Sequence, residues 1–293
     1  NEPGKVKPYC NTSFAAGIFV FGVRHLLQVG GIQVQYFYAG REVGRKMLRK
    51  EEYRILNIKH MFERSTKRYS ERAAFQVKSH QSAADFPITY NEAYNDVCGL
   101  GTSLIARGVK DKRIAIVGGN SYEWAVTFLA AICGTGVAVP LDKEFSINEL
   151  KHFLNVTQCR CAVFSGELED VFRQIANDGV TGLEMFINMD KEKGEWDVLS
   201  LRELIVEGRE MVTAGNQDFL NAQIVCDELC SIILTAGTTN VQKGVNLSHA
   251  NIAAEIEMVS STLNISENDV FFSRLPLHCA LECICGILLP LSR

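Results

Sequence analysis

With 293 residues, 47% hydrophobic and 22% charged, the chain can bury a sizeable core in one large domain or two ordinary ones, which excludes a disordered polymer. Its formal charge of −4 lacks the basic excess of a dedicated nucleic-acid binder, so no nucleic-acid partner is expected. Ten cysteines sit mostly in apolar runs such as "AAICGTGVAV" and "ECICGILL"; they read as reduced, buried hydrophobes in a cytoplasmic setting, and their spacing assigns no metal ligands.

The first fifty residues form an atypical amino-terminal extension, disordered or outside the fold, followed by a domain over 51–293. "FAAGIFVFGV" at 14–23 is too short for the roughly 18–20 apolar residues of a membrane span. Lys5 and Lys7 precede it as in a secretory leader, but no small-x-small cleavage pattern follows. The basic run "GREVGRKMLRK" at 40–50 reads as a solvated helix face, with peripheral membrane contact as the alternative.

From Glu51 the patterning becomes regular. In "ILNIKHMFERSTKRY", Ile55, Ile58, Met61, Phe62 and Ser65 fall near helical spacing, which predicts an amphipathic helix. "AAFQVK" and "ITY" predict two short strands, and "YNEAYNDVCGLGTSLIARGV" a helix ending at Gly108. "RIAIVGG" reads as a buried strand, "SYEWAVTFLAAICGTG" as a helix, and "VAVPLD" as another strand. "SINELKHFLNVTQ" begins with the capping-box pair Ser146 and Glu149, and "CAVFS" is again strand-like. "NQDFLNAQIVCDE" reads as a loop. This alternation predicts an α/β fold, with a layered sheet carrying helices on both faces.

The chemistry concentrates in "CSIILTAGTTNVQKGV". A strand from Ser231 to Leu234 runs into Thr235, Ala236, Gly237, Thr238, Thr239 and Asn240, with Lys243 and Gly244 close behind. Amides beside glycine approach phosphate oxygens, hydroxyls add donors and a lysine adds a point charge, so the implied ligand is a polyphosphate. The ordinary P-loop needs glycine before its lysine and Ser or Thr after it; Gln242 and Gly244 stand there instead.

This stretch resembles the phosphate-binding loop of the adenylate-forming, AMP-binding superfamily: Thr235, Gly237, Thr238, Thr239, Lys243, Gly244 and Val245 match its pattern. "LSHAN" at 247–251 is similar to the family's continuation into a helix, and the likeness covers about residues 55–293. "LPLHCALEC" at 275–283 places it nearest the long-chain fatty acyl-CoA synthetases. The resemblance implies the incomplete large amino-terminal domain of such an enzyme, with ATP, Mg2+ and coenzyme A as cofactors and a small-molecule carboxylate as substrate. The implied reaction is attack of the carboxylate on the α-phosphate, giving an acyl-adenylate and pyrophosphate, then displacement of AMP by the coenzyme A thiol.

By the same resemblance the loop holds the β- and γ-phosphates with Lys243 as their cation, and His278 and Cys279 are substrate-pocket candidates; no catalytic residue is assigned. Ala236 replaces a hydroxyl residue, removing a donor worth about 1–3 kcal/mol if charge-assisted. Asn240 replaces a glycine, and asparagine reaches the left-handed region more readily than other side chains. Cys279 stands where the family carries histidine or an aromatic. The family's magnesium glutamate, ribose aspartate, hinge and carboxy-terminal domain are expected after Arg293. The fragment alone is therefore expected to be inactive, with self-association through a truncated sheet edge. The alternative is a non-catalytic relative that acts by binding.

Overall fold

The computed structural model describes residues 54–78, 85–195, 197–235, 242–263 and 265–293, together with two short strands nearer the amino terminus. Those strands, β1 (Leu27–Val29) and β2 (Ile32–Val34), pair antiparallel inside a unit spanning Asn1–Glu52. Tyr53–Arg293 forms a second compact unit, which carries everything that follows.

The second unit begins with α1 (Ile58–Tyr69), whose first turn is capped by Asn57 Oδ1 accepting from the His60 amide. Ile58, Met61, Phe62 and Ser65 share its buried face, as their spacing predicts. The predicted strand pair is an antiparallel hairpin of β3 (Ala73–Lys78) and β4 (Asp85–Thr89). Thr89 and Glu92 then cap α2 (Tyr90–Ala106) reciprocally. That helix gives way to Gly108, whose φ of 80° supplies the left-handed exit turn.

A seven-stranded sheet makes the centre, in the order β11, β10, β6, β5, β7, β8, β9. Its strands are β5 (Lys112–Val117), β6 (Gly136–Leu141), β7 (Cys159–Phe164), β8 (Met185–Asn188), β9 (Leu199–Ser200), β10 (Leu229–Thr235) and β11 (Lys243–Ser248). All neighbours run parallel except β10 and β11. The helices that follow its strands are α3 (Tyr122–Ala130), α4 (Ile147–Val156), α5 (Glu169–Asp178), α6 (Leu201–Thr213) and α7 (His249–Thr262), the last after β11.

Alternation along β5 shows how the sheet acquires two covered faces. Ile114 and Ile116 pack into one core with Trp124 and Phe128 of α3, while Ala115 and Val117 join the other with Leu150 and Leu154 of α4 and Phe172 of α5. Each large apolar side chain so buried contributes about 1.5–3 kcal/mol. The predicted α/β architecture with helices on both faces is the observed one.

Two local expectations are corrected. The helix through "SYEWAVTFLAAICGTG" is regular only to Ala130 and continues as a π-turn, Ala131–Thr135. Gly134 there adopts φ 152°, and a Cβ on it would lie 2.9 Å from that of Ala222, so the close approach of the loop before β10 requires glycine. The cysteines are also not uniformly buried: Cys226 and Cys279, on a turn and a bend, and Cys285, on the π-helical turn Glu282–Leu288, are half-buried.

Candidate functional site

β10 is fastened into the sheet by its buried residues Cys230, Ser231 and Ile233, and Ser231 Oγ donates to the Ala138 carbonyl of β6 at 3.1 Å. Its antiparallel register with β11 pairs Leu234 with Gly244 and Thr235 with Lys243. The threonine- and glycine-rich stretch therefore closes a hairpin at the carboxyl end of β10. Ala236, Gly237, Thr238, Thr239 and Asn240 lie outside the described residues. Thr235, Lys243 and Gly244 are placed: Thr235 Oγ1 donates to the Lys243 carbonyl at 3.4 Å, and Lys243 is exposed. A Cβ on Gly244 would meet Ile232 Cγ2 at 3.2 Å, so the smallest residue lets the hairpin lie close.

β5, β6, β7 and β10 all end on this same side of the sheet. After β5, Gly118 leaves room for Ser165, whose Oγ would lie 2.1 Å from a Cβ there and accepts from the Gly119 amide at 3.2 Å. Asn120 then grips a distant segment at three points. Its Nδ2 donates to Ser273 Oγ (2.9 Å) and to the Leu275 carbonyl (2.7 Å), and its Oδ1 accepts from the Leu277 amide (3.0 Å).

That grip brings His278 to the end of β6, where Nε2 lies 3.5 Å from Asp142 Oδ2. Cys279 beside it is half-buried, and its thiol pKa is raised by burial and by the negative charges of Asp142 and Glu282. An activated nucleophilic cysteine needs the opposite environment. Asn120 and Asp142 were not singled out from sequence. Their signal was position: each closely follows the carboxyl end of a parallel strand, where open α/β sheets hold ligands.

Behind the hairpin, Ser248 and Asn251 cap α7 reciprocally. His249, buried at the first turn, accepts from the Ile58 amide at Nδ1 (3.4 Å), tying the hairpin's exit to α1. Burial pulls its pKa down to about 4, so it is neutral near pH 7. Among the described residues no group of three His, Cys, Asp or Glu is arranged to hold a metal ion, and no helix is long and apolar enough to cross a membrane.

A mostly parallel sheet, covered on both faces, with a hydroxyl- and lysine-flanked hairpin at the carboxyl ends of its strands defines an α/β protein of the ligand-binding kind. Residues 62–293 match the AMP-binding enzyme family, and the chain belongs to that family. It is 26% identical over 254 residues to the chloroplastic long-chain-fatty-acid [acyl-carrier-protein] ligase AEE15 of Arabidopsis thaliana, covering 82% of this chain and 34% of that protein. It is 27% identical over 210 residues to the medium-chain fatty-acid CoA ligase of Escherichia coli (strain K12), covering 69% and 35%. Among solved structures, the long-chain-fatty-acid-CoA ligase FadD1 of Archaeoglobus fulgidus superposes with a TM-score of 0.68 at 20% identity, over 82% of this chain and 45% of that one. The chain thus spans about a third of the length of these curated relatives.

Proposed function

We propose that the chain supplies the phosphate-binding framework of an ATP-dependent acid-thiol ligase that converts a carboxylate, a fatty acid, to an acyl-adenylate and then to acyl-CoA. In this reading residues 51–293 are the amino-terminal part of an adenylation domain that works within a longer enzyme, and residues 1–50 are an extension to it. The observation that carries the reading is the β10–β11 hairpin, with Thr235 and Lys243 at its two ends and the hydroxyl- and glycine-rich stretch between them.

The donor set fits a polyphosphate: hydroxyls of Thr235, Thr238 and Thr239, amides beside Gly237 and Gly244, and one exposed ammonium. Bound Mg2+-ATP would supply the leaving group that makes a carboxylate an acyl donor. Lys243 neutralises phosphate charge there, and Thr235 ties the two strand ends together through the Lys243 carbonyl. Just after the neighbouring strand, Asp142 lies beside His278 and Asn120 holds the segment that carries it, which supports reading His278 as the imidazole of the substrate pocket. The fatty-acid assignment rests on the names of the relatives, and coenzyme A is the thiol it implies.

Titration calorimetry with Mg2+-ATP tests the site. The chain should bind weakly, and Lys243→Ala should weaken binding on the order of tenfold, the loss of one charge-assisted contact. Equal affinity in both proteins would remove Lys243 from the site. A second reading, a non-catalytic binding relative, is favoured by Cys279, a thiol with a raised pKa standing where the resemblance implies histidine or an aromatic. Fatty-acid-dependent exchange of pyrophosphate into ATP by the full natural polypeptide supports the ligase; ATP binding without exchange supports the second reading.

A further inference from the structure

The opposite end of the sheet from the hairpin, at the amino ends of β5 and β7, holds a cleft of about 510 Å³. Three cations line it, Lys112, Arg113 and Arg160, against one carboxylate, Asp111. The strand register explains why the cations converge. Arg113 pairs with Cys159 and Ile114 with Cys161, so Arg160 is the extra residue of a bulge, a device that re-aims a side chain. The turns that enter the two strands are set by Asp111 and Gln158, at φ 59° and 53°, a conformation that costs a non-glycine residue about 1–2 kcal/mol.

Both guanidiniums are fixed through one nitrogen and keep donors to spare. Arg113 Nη1 donates to the Thr157 carbonyl (2.7 Å) and reaches Gln158 Oε1 (3.5 Å); Arg160 Nη1 donates to the Gly182 carbonyl (3.2 Å) and pairs with Glu184 (2.9 Å). Among the described residues neither Nη2 has an acceptor and Lys112 has no carboxylate partner. A guanidinium anchored through one nitrogen with its other donors unpaired is suited to recognising phosphate.

A second observation lies at the rim. Val156 and Val180 are 64% and 55% exposed, and Asn155 Nδ2 donates to the Val180 carbonyl at 2.9 Å, holding these two apolar side chains beside the cleft. We propose that this cleft binds a phosphate monoester group, carried by a soluble small molecule or by a lipid headgroup at a membrane surface. The site is separate from the β10–β11 hairpin and stands whether or not the hairpin binds ATP.

A matched pair of probes tests it: glycerol 3-phosphate in solution, and phosphatidylcholine vesicles containing phosphatidic acid, which presents the same group on a surface. The chain should bind one or both at millimolar phosphate or tighter, with affinity falling as ionic strength rises. Combining Lys112→Ala with Arg160→Gln should weaken binding on the order of tenfold or more, because charged contacts are lost. Lys243→Ala should leave it unchanged. Both Lys112 and Arg160 are exposed and the Arg160–Glu184 pair is a surface one, so thermal unfolding should move only slightly, and Lys112→Glu alone provides a second variant with the same expected direction on binding. Binding only to vesicles assigns the lipid source, and binding only to glycerol 3-phosphate the soluble one. Failure of both probes, or binding unaltered by the paired substitution, would overturn the proposal.

Discussion

The two edges of the seven-stranded sheet are finished differently. At one edge β9 is only two residues long and lies near a charged cluster: Glu169 pairs with Arg173 (2.8 Å) and Lys191 (2.9 Å), and both cations reach Glu195 (2.9 and 3.1 Å). Hydrogen bonds from Lys191 and Arg173 hold the Glu169 carboxyl down to about 2. Such part-exposed pairs add little stability, but a short, charged edge gives no template for adding a strand. At the other edge β11 runs six residues with Lys243, Gly244 and Asn246 exposed, and among the described residues no further strand pairs with it. The proposed ATP site lies at that edge, while the segment beyond α7, held by Asn120 after β5, displays Val270 and Phe272 at 79% and 77% exposure.

The comparison breaks most visibly if the closed edge is opened from inside. Phe172 of α5 is fully buried and stacks on Phe164 of β7, with centroids 4.2 Å apart and rings 6° from parallel. Phe172→Ala should cost about 3–5 kcal/mol in urea unfolding, through lost burial and the cavity left behind. A loss below about 1 kcal/mol would mean that this half of the sheet repacks freely, and that its finished appearance is not rigidity.

The open edge has its own pH signature. His249 is neutral in the folded chain because burial lowers its pKa from 6.5 to about 4, while the unfolded chain takes up a proton near 6.5. Its neutral form supports the fold fully above pH 6.5, and that support is lost as pH falls toward 4, on the order of 3 kcal/mol in all. Unfolding at a series of pH values should show this slope in the wild-type chain. His249→Gln, which carries no titrating ring, should flatten it; an unchanged slope in that variant would assign the acid sensitivity to other groups.

These contrasts were unevenly legible in the sequence. Helix α1, the capping box at Ser146 and the buried strands β5 and β7 declare themselves through spacing, since periodicity and cap chemistry act within a few residues. Thr235 and Lys243 stood out through loop composition and the family resemblance, whereas the strand β11 that Lys243 begins was not visible. Asn120 was not, because its three hydrogen bonds reach across more than 150 positions to Ser273, Leu275 and Leu277. Nor was the pairing of Asp142 with His278, which the order of strands brings about and no local pattern encodes. Half-burial of Cys279 and Cys285 belongs with these: composition marks a cysteine as apolar, but only the layers decide whether anything covers it.

The smallest effect on stability sharpens the comparison furthest. Phe272 lies between two tethers: Arg72, which donates to the Glu267 carbonyl at 2.6 Å, and the grip of Asn120 on Ser273 and Leu275. Its own side chain is 77% exposed and so contributes little to the core. Phe272→Ser should therefore leave unfolding within about 0.5 kcal/mol of wild type, as for other surface changes. An exposed aromatic is an association surface, so wherever sedimentation velocity of the wild-type chain shows self-association, the variant should show less. If the variant melts at a much lower temperature, Phe272 packs in solution. If association of the wild-type chain persists in the variant with stability unchanged, the contact lies elsewhere on the chain.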